Sequence, residues 1–324
     1  MDLLRRLRIE PFILAILATV VVAAFLPATG AAATALHWVT TIGIAVLFFL
    51  YGARLERREL VAGLRHWRLH GVVLGATFVL FPLLGLLGKW ALTPLLGASL
   101  ALGFLYLTLV PSTVQSSITF VAIARGNVGA AVVSASVSNL LGVFITPLLV
   151  LAFMTTDGTV RITAGAVVQI VVQLLLPFVL GQVLRDRVLA VTSRIKRLPL
   201  FDKTVIVLVV YAAFSEGVVE GIWTKIGAPQ LAWLVAACCV LLGVVLGLTE
   251  LASRALHFDG RDKRVVQFCG SKKSLATGLP MAAVLFVGQP VGLIVLPLMV
   301  FHQIQLIVCA WLAGHYGRKA EAAA

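Results

Sequence analysis

The chain of 324 residues is 60% hydrophobic, only 12% of its residues are charged, and its mean hydropathy is +1.06. Soluble domains are about half apolar and about a quarter charged, so this composition excludes an ordinary soluble protein and indicates a chain dissolved in lipid. The net charge of +13 would suit a nucleic-acid-binding protein, but the positions of the basic residues favour a membrane protein. We therefore expect the lipid bilayer, and no nucleic acid, as a partner.

Apolar segments long enough to cross a hydrocarbon core of about 30 Å recur along the whole chain. They predict an all-α polytopic membrane protein in which residues 1–324 form a single membrane domain. The ten predicted transmembrane spans, in chain order, are 11–29, 35–53, 71–88, 95–124, 128–154, 163–184, 204–219, 229–253, 265–288 and 290–315.

The basic residues collect in alternate loops. Twenty-one of the 26 Lys and Arg residues fall on one side of the predicted membrane, whereas Lys89, Arg161 and Lys225 fall on the other. The positive-inside rule places the rich side in the cytoplasm, and an even number of spans returns the C-terminus there. We predict a multi-pass protein of the cell (inner) membrane with both termini cytoplasmic. A signal peptide is an alternative for the first span, but its removal would break the charge alternation.

Polar residues interrupt the fourth span over 110–117 and the ninth over 269–274, about half the chain apart. With five spans per half, the halves, about 1–160 and 161–324, would lie in opposite orientations. The pattern predicts a 5+5 inverted repeat with discontinuous helices 4 and 9, which in secondary transporters indicates the substrate site. Unwound backbone persists in a membrane only where it lines a cavity. The alternative is a simple proline kink at Pro111.

Lys272 and Lys273 lie inside the ninth apolar segment. A charged side chain at mid-membrane costs about 2.5 to 3.5 kcal/mol even on a mild insertion scale, so we expect a functional role. The two lysines could bind an anionic substrate, replace a bound cation, or exchange a proton during transport. The alternative is that the interruption is shallow and that both side chains snorkel toward the cytoplasm.

Hydroxyl and amide side chains accompany the lysines at both interruptions. The candidate substrate- or ion-binding residues are Ser112, Thr113, Gln115, Ser116, Ser117 and Thr119 on the fourth span, Ser134 and Ser138 on the fifth, Ser271, Lys272, Lys273, Ser274 and Thr277 on the ninth, and His302 on the tenth. Ser134 and Ser138 are four residues apart and share a helix face, where packing between helices is an equally good explanation.

The chemistry of this set suits weak ion or polar-anion coordination, since it contains no carboxylate. The sequence has no zinc-protease, nucleophile-elbow, P-loop or dinucleotide motif. We therefore predict that the protein is not an enzyme and that it holds no cofactor and no structural metal.

The segment from Pro111 to Pro147 contains Ala124-Arg125-Gly126-Asn127-Val128 and Ile145-Thr146-Pro147. It resembles the fourth and fifth helices of the bile acid:sodium symporter family (solute carrier family 10), and the overall pattern is most similar to its member 7-like branch. The resemblance covers essentially the whole chain. It implies a panel of spans 11–53 and 163–219 that moves against a core of spans 71–154 and 229–315 in alternating access, with Na⁺ as a candidate coupling ion.

The family's sodium ligands are mostly missing. Where the resemblance implies a serine on the fourth helix, the chain keeps Ser117. The other positions of the implied sodium site are occupied by Ile118, Ala131, Ala135, Ser271 and Leu275. A site that lacks its carboxylate and gains two ammonium groups should bind sodium poorly.

The sequence thus predicts a secondary active transporter of a small or amphipathic organic anion, with Lys272 or Lys273 as the anion contact. Coupling to sodium, coupling to protons and no coupling all remain open, as do the identity of the anion and the oligomeric state. Two alternatives use the same scaffold. One is a non-transporting regulator of membrane ion homeostasis, consistent with the missing ligands, and the other is a passive anion uniporter.

Overall fold

The structure is a computed structural model that describes residues 11–54, 66–154, 168, 171–192, 198–219, 221 and 226–322. The start of the predicted sixth span, at residue 163, lies outside the described residues. So do these basic residues of the predicted charge pattern: Arg5, Arg6, Arg8, Arg57, Arg58, Arg65, Arg161, Arg194, Lys196, Arg197 and Lys225.

The described chain is helical, as predicted, and no strand occurs within the described ranges. The helices are α1 (Pro11–Phe25), α2 (Gly30–Arg54), α3 (Trp67–Gly75), α4 (Phe81–Leu96), α5 (Ala98–Leu109), α6 (Gln115–Ile123), α7 (Val128–Met154), α8 (Leu176–Val183), α9 (Arg185–Thr192), α10 (Leu198–Val219), α11 (Ala228–Ala255), α12 (Gly260–Gly270), α13 (Leu275–Leu285) and α14 (Val291–Ala322). Two π-helical segments, Ala76–Leu80 and Val171–Leu175, lead into α4 and α8.

Several helices have the length and apolar character of membrane spans. Among the described residues these are Gly30–Arg54, Trp67–Leu96, Val128–Met154, Ala228–Ala255 and Val291–Ala320. Shorter apolar helices cover Leu14–Phe25, Ala98–Leu109 and Val171–Val183. These helices agree with a multi-pass membrane protein, while the count of ten spans and the inverted repeat stay predictions.

The predicted span ends differ from the helix ends for local reasons. The first predicted span runs to residue 29, but α1 ends at Phe25, because Pro27 disfavours helical backbone in the residue before it. The seventh begins at residue 204, whereas α10 already begins at Leu198. Asp202 and Lys203 lower the hydropathy there without interrupting the helical backbone.

Two compact units divide the chain. The first takes its described residues from Met1–Leu55, Met154–Gly227 and Leu279–Val295. Within it, α2 and α8 pack closely, because a Cβ on Gly52 would lie 2.0 Å from the carbonyl oxygen of Phe178. Arg54 at the end of α2 donates to both carboxylate oxygens of Asp202 on α10.

The second unit takes its described residues from Glu56–Phe153, Ala228–Gly278 and Leu296–Ala324. It contains both helix interruptions, each within its predicted segment but shorter than the predicted 110–117 and 269–274, because α6 already begins at Gln115 and α12 continues through Gly270. Backbone outside a helix joins α5 to α6 over 110–114 and α12 to α13 over 271–274. The boundary between the predicted core and panel stays a prediction, since 279–295, from the predicted ninth and tenth spans, fall in the first unit.

Candidate functional site

The two interruptions meet within the second unit. The backbone N–H of Ser274 donates to the carbonyl oxygen of Pro111 over 2.8 Å, and the hydroxyl of Ser112 donates to the carbonyl of Cys269 over 2.6 Å. Gly142 allows α7 to pack closely against the first interruption, because a Cβ there would lie 2.5 Å from Cβ of Pro111. We call residues 110–114 and 271–274 together the crossing.

Lys273 places its ammonium group inside the crossing. Its Nζ donates to the carbonyl oxygens of Thr77, Thr108 and Val110 over 2.8, 2.7 and 2.8 Å. The same nitrogen lies 4.2 Å from the centre of the Phe81 ring. An ammonium group has three hydrogens, so these three carbonyls use its whole donor capacity. We call the three carbonyl oxygens the carbonyl cage.

The cage consists of carbonyls that helical hydrogen bonding leaves open. Thr108 and Val110 lie at the end of α5, where the last carbonyls of a helix have no partner within the helix. Thr77 lies in the π-helical segment, where the N–H of Phe81 donates to Ala76 instead of Thr77. The next residue, Pro82, has no N–H to offer. Irregular backbone on two helices therefore supplies the acceptors.

Gln305 on α14 fixes the backbone of Lys273. Its Oε1 accepts from the Lys273 N–H over 2.9 Å, and its Nε2 donates to the Lys273 carbonyl over 2.9 Å. The ring Nδ1 of His302 lies 2.8 Å from the same Nε2 and 3.3 Å from the same carbonyl. An unwound residue buried in the membrane thus keeps partners for both of its backbone groups.

Lys272 turns to a different environment. Its Nζ lies 3.7 Å from the centre of the Phe120 ring on α6. The side chains of Lys272 and Lys273 are both 0% exposed, so neither snorkels to the surface in this structure. Two adjacent lysines therefore bring two ammonium groups to the interior of the second unit.

The predicted serines at the crossing mostly serve backbone carbonyls. Ser112 donates to Cys269, Ser117 donates to Phe268 over 3.2 Å, and Ser271 donates to Gln267 over 2.5 Å. All of these carbonyls belong to the last turns of α12. The negative end of this half-helix is thereby satisfied from within the protein.

The hydroxyl groups after each interruption order the start of the next half-helix. Ser274 caps α13, since its Oγ accepts from the N–H of Thr277 over 3.2 Å. Thr277 in turn donates to Asn139 on α7 over 2.7 Å. Before α6, the hydroxyl of Thr113 lies 2.8 Å from that of Ser116 and 2.9 Å from that of Ser117.

Not every predicted residue reaches the crossing. Ser138 does, because its Oγ accepts from the N–H of Ser112 over 3.2 Å. Ser134, one turn earlier, pairs instead with Nδ1 of His70 at 2.7 Å. Thr119 donates within its own helix to the carbonyl of Gln115, and both of these residues are exposed.

The charges at the crossing sum to a positive region. The carbonyl ends of α5 and α12 are occupied by Lys273 and by serine hydroxyls. The amino ends of α6 and α13, which carry partial positive charge, begin at the same place. The groups that contact the Lys273 ammonium in the described chain are three carbonyls and one ring, none of them a carboxylate. This arrangement suits an anion.

The motif that suggested the family forms a structural turn. Arg125 adopts a left-handed backbone (φ 54°) after α6, and a Cβ on Gly126 would lie 2.8 Å from Cβ of Arg264. Asn127 caps α7 by accepting from the N–H of Ala130 over 3.1 Å, and it donates to Asp262 over 2.9 Å. The motif therefore fastens the end of α6 to the start of α12.

A cavity of about 440 Å³ lies in the first unit. None of the predicted site residues lines it. Its walls are mainly apolar, and its polar members are Thr29, His37, Thr40, Thr41, Gln173, Ser215 and Glu216. Its size is that of a ligand pocket. Among the described residues that line it there is no Lys or Arg, so the crossing is the better candidate for an anion.

Sequence reasoning missed the partners of the lysines. Thr77 and Thr108 take part through backbone atoms, and Phe81 and Phe120 through ring faces. Gln305 stands out in the sequence, together with His302 and Gln303, as a polar residue in an apolar helix, but its contact with Lys273 could not be predicted from that pattern.

Comparison with known proteins agrees with the predicted resemblance. A sequence model of the SBF-like CPA transporter family matches residues 10–318. An uncharacterized protein of Pseudomonas aeruginosa is 52% identical over 316 residues, covering 97% of this chain and 95% of the relative. The protein named "Putative symporter YfeH" of Escherichia coli (strain K12) is 48% identical over 317 residues, covering 97% and 94%.

More distant relatives carry a more specific name. Sodium/bile acid cotransporter 7 of Danio rerio is 27% identical over 321 residues, covering 95% of this chain and 94% of the relative. The resemblance to the bile acid:sodium symporters and their member 7-like branch is thus confirmed. The chain belongs to the SBF-like CPA transporter family, as a multi-pass membrane transporter that is not an enzyme.

Proposed function

We propose that the protein is a secondary active transporter of a small or amphipathic organic anion, which binds at the crossing and is moved by alternating access. The proposal includes ten spans in a 5+5 inverted repeat, a core and a panel, and insertion in the cell (inner) membrane with both termini cytoplasmic. The candidate binding residues are the predicted set that borders the crossing, with Lys272 as the anion contact.

The observation that carries this proposal is the burial of two lysine side chains where the half-helices α6 and α13 begin. Burying a charge away from water is costly unless an opposite charge compensates it. Half-helix amino ends at a membrane break direct partial positive charge at anionic groups of a substrate. A bound anion would lower the cost of both lysines.

The geometry favours Lys272 over Lys273 for direct contact with the anion. The Lys273 ammonium already donates three hydrogen bonds to backbone carbonyls, so an anion would have to displace one of these carbonyls. The Lys272 ammonium lies against Phe120 on α6, the half-helix that also carries Ser116. Both lysines are closed off here, so binding requires the opening that alternating access supplies.

The names of the relatives support the substrate class. Sodium/bile acid cotransporter 7 is named for a bile acid, and bile acids are amphipathic organic anions. A buried ammonium group suits a carboxylate or sulfate head, because hydrogen bonds between oppositely charged groups are stronger than those between neutral groups.

The test is the thermal stability of the purified protein against a panel of small and amphipathic carboxylates and sulfonates, since a ligand that binds the folded state raises its apparent Tm. We expect at least one anion to stabilise the wild type, Lys272→Ala to lose this response, and Lys272→Arg to keep part of it. Lys263→Ala, a lysine at the start of α12, is the matched control and should respond like the wild type.

Uptake into proteoliposomes then separates the alternatives. Saturable uptake of the stabilising anion that Lys272→Ala abolishes agrees with the proposal. An unchanged response in Lys272→Ala contradicts the assigned contact. Flux proportional to the gradient would identify a passive uniporter, and no binding or flux of any anion would identify a non-transporting regulator.

A further inference from the structure

We propose that the Lys273 ammonium is a built-in cation that permanently fills a coupling-ion site, so that anion transport by this protein proceeds without Na⁺. The inference rests on the proposed function in one respect, namely that the protein transports an anion. The occupancy of the site by Lys273 is independent of any substrate and is tested without one.

The carbonyl cage has the composition of a cation site. Unwound backbone carbonyls and the carboxyl ends of half-helices are the groups that coordinate Na⁺ in transporters with broken helices. Carbonyl rings likewise replace the hydration shell of ions in channel filters. Here the end of α5 and a π-helical segment aim three such oxygens at one point. That point is occupied by Nζ of Lys273.

A second cation has no place in this cage. Three carbonyl oxygens lie 2.7 to 2.8 Å from Nζ, as many as the ammonium has hydrogens, and the centre of the Phe81 ring lies 4.2 Å from the same nitrogen. An added Na⁺ would share the same oxygens with a like charge at contact distance. In the weakly screening interior of the protein this repulsion is strong.

The ammonium group is also held in place from its own backbone. Gln305 binds both the N–H and the carbonyl of Lys273, and Gln305 is itself 0% exposed. The neighbouring Ser274 N–H is tied to Pro111. Lys273 cannot leave the cage without breaking contacts at both ends of the residue, so its charge stays with the protein while the substrate moves.

Removing the ammonium should turn the cage into an Na⁺ site. We would measure the apparent Tm of the purified protein in NaCl against choline chloride at equal ionic strength, with no anion substrate present. We expect no Na⁺-specific shift for the wild type. For Lys273→Ala, which empties the cage, we expect Na⁺ to raise the apparent Tm by about 3 °C relative to choline.

Lys272→Ala is the matched control, because it removes the adjacent buried ammonium but leaves the carbonyl cage filled; it should show no Na⁺-specific shift. If Lys273→Ala does not fold, Lys273→Ser, which adds a small hydroxyl to the same cavity, replaces it. A Na⁺-specific shift in the wild type, or its absence in every folded Lys273 variant, would overturn the inference.

A measurement on the wild type alone gives an independent decision. Replacing Na⁺ by choline on both sides of the proteoliposome membrane should leave the rate of anion uptake within about twofold, because Lys273 takes the place of Na⁺; coupling to protons is not affected by this exchange. A tenfold or greater loss of uptake would refute the inference while leaving anion transport itself intact. Conversely, a failure to find any transported anion would leave the Na⁺ stability result standing.

Discussion

The two interruptions at the crossing are stabilised by different chemistry. The first, over 110–114, uses neutral hydroxyl groups, of which Ser112 is the clearest example. The second, over 271–274, carries two lysines, and one of them serves three carbonyls on other helices. A neutral hydroxyl can satisfy one carbonyl of a neighbouring chain. A charged group can gather several carbonyls, but it must itself be held in position.

The first interruption also helps to stabilise the second through hydrogen bonds. Ser112 of the first interruption and Ser117 of the following helix α6 donate to carbonyls at the carboxyl end of α12, just before the lysines. In return, the carbonyl oxygens of Thr108 and Val110 at the carboxyl end of α5 accept hydrogen bonds from the Lys273 ammonium. The carbonyl groups at each half-helix end thus find their donors in or next to the opposite interruption. A substitution that disrupts one interruption should therefore also destabilise the other.

The largest effect should come from Lys273→Met in Na⁺-free buffer. Methionine keeps an unbranched apolar stem but leaves three buried carbonyls without a donor. The relief of a buried charge offsets part of this loss, so we expect a destabilisation of about 3 kcal/mol. The measurement is the midpoint of thermal unfolding in detergent.

Lys272→Met is the internal comparison for that result. This substitution leaves the three cage carbonyls with their donor, Lys273, so the variant should lose much less stability than Lys273→Met. Equal losses for the two variants would show that the carbonyl cage has no special role.

A middle effect is expected for Gln305→Leu. The substitution leaves the N–H and the carbonyl of Lys273 without their amide partners in a buried place, at a cost of about 2 kcal/mol. Gln303→Leu, two residues away on α14, is the control and should change stability by less than about 0.5 kcal/mol. The same thermal unfolding assay measures both variants. If the Gln305 variant were as stable as the Gln303 variant, the two hydrogen bonds between the Gln305 amide and the Lys273 backbone would not stabilise the protein as proposed.

The smallest of the three effects is expected for Ser112→Ala, at the neutral interruption. It removes one hydrogen bond to Cys269 and leaves that carbonyl buried, which should cost about 1 kcal/mol. Thr119→Ala, on the exposed face of α6, should be close to neutral. If Ser112→Ala were as harmful as Lys273→Met, the distinction between the two interruptions would fail.

The parts of the fold that follow from composition and length could be read from the sequence. Apolar runs located the helices, and α7 has the bounds predicted for the fifth span. The interruptions were visible because polar residues stood inside apolar runs. Lys272 and Lys273 stood out for the same reason, since charge in a membrane interior is rare enough to be informative.

The contacts of those lysines could not be read in the same way. A sequence shows side chains, whereas the acceptors at Thr77, Thr108 and Val110 are main-chain oxygens. The Thr77 carbonyl is left without a helical donor because of one π-helical turn, and the spacing of apolar residues in the sequence does not indicate such a turn. Ser134 pointed to the crossing by its spacing, but His70 offered a nearer partner on α3.

The main-chain origin of the carbonyl cage has a consequence for how such a protein can change over generations. No single substitution at Thr77, Thr108 or Val110 deletes a backbone oxygen, so the acceptors persist under ordinary point mutation. Under the role that we propose for Lys273, variation acts instead through position 273, where one codon decides whether the positive charge comes from the chain or from solution. The same proposal makes Na⁺ dependence a trait that one substitution can change, while the backbone carbonyls that receive the cation stay in place.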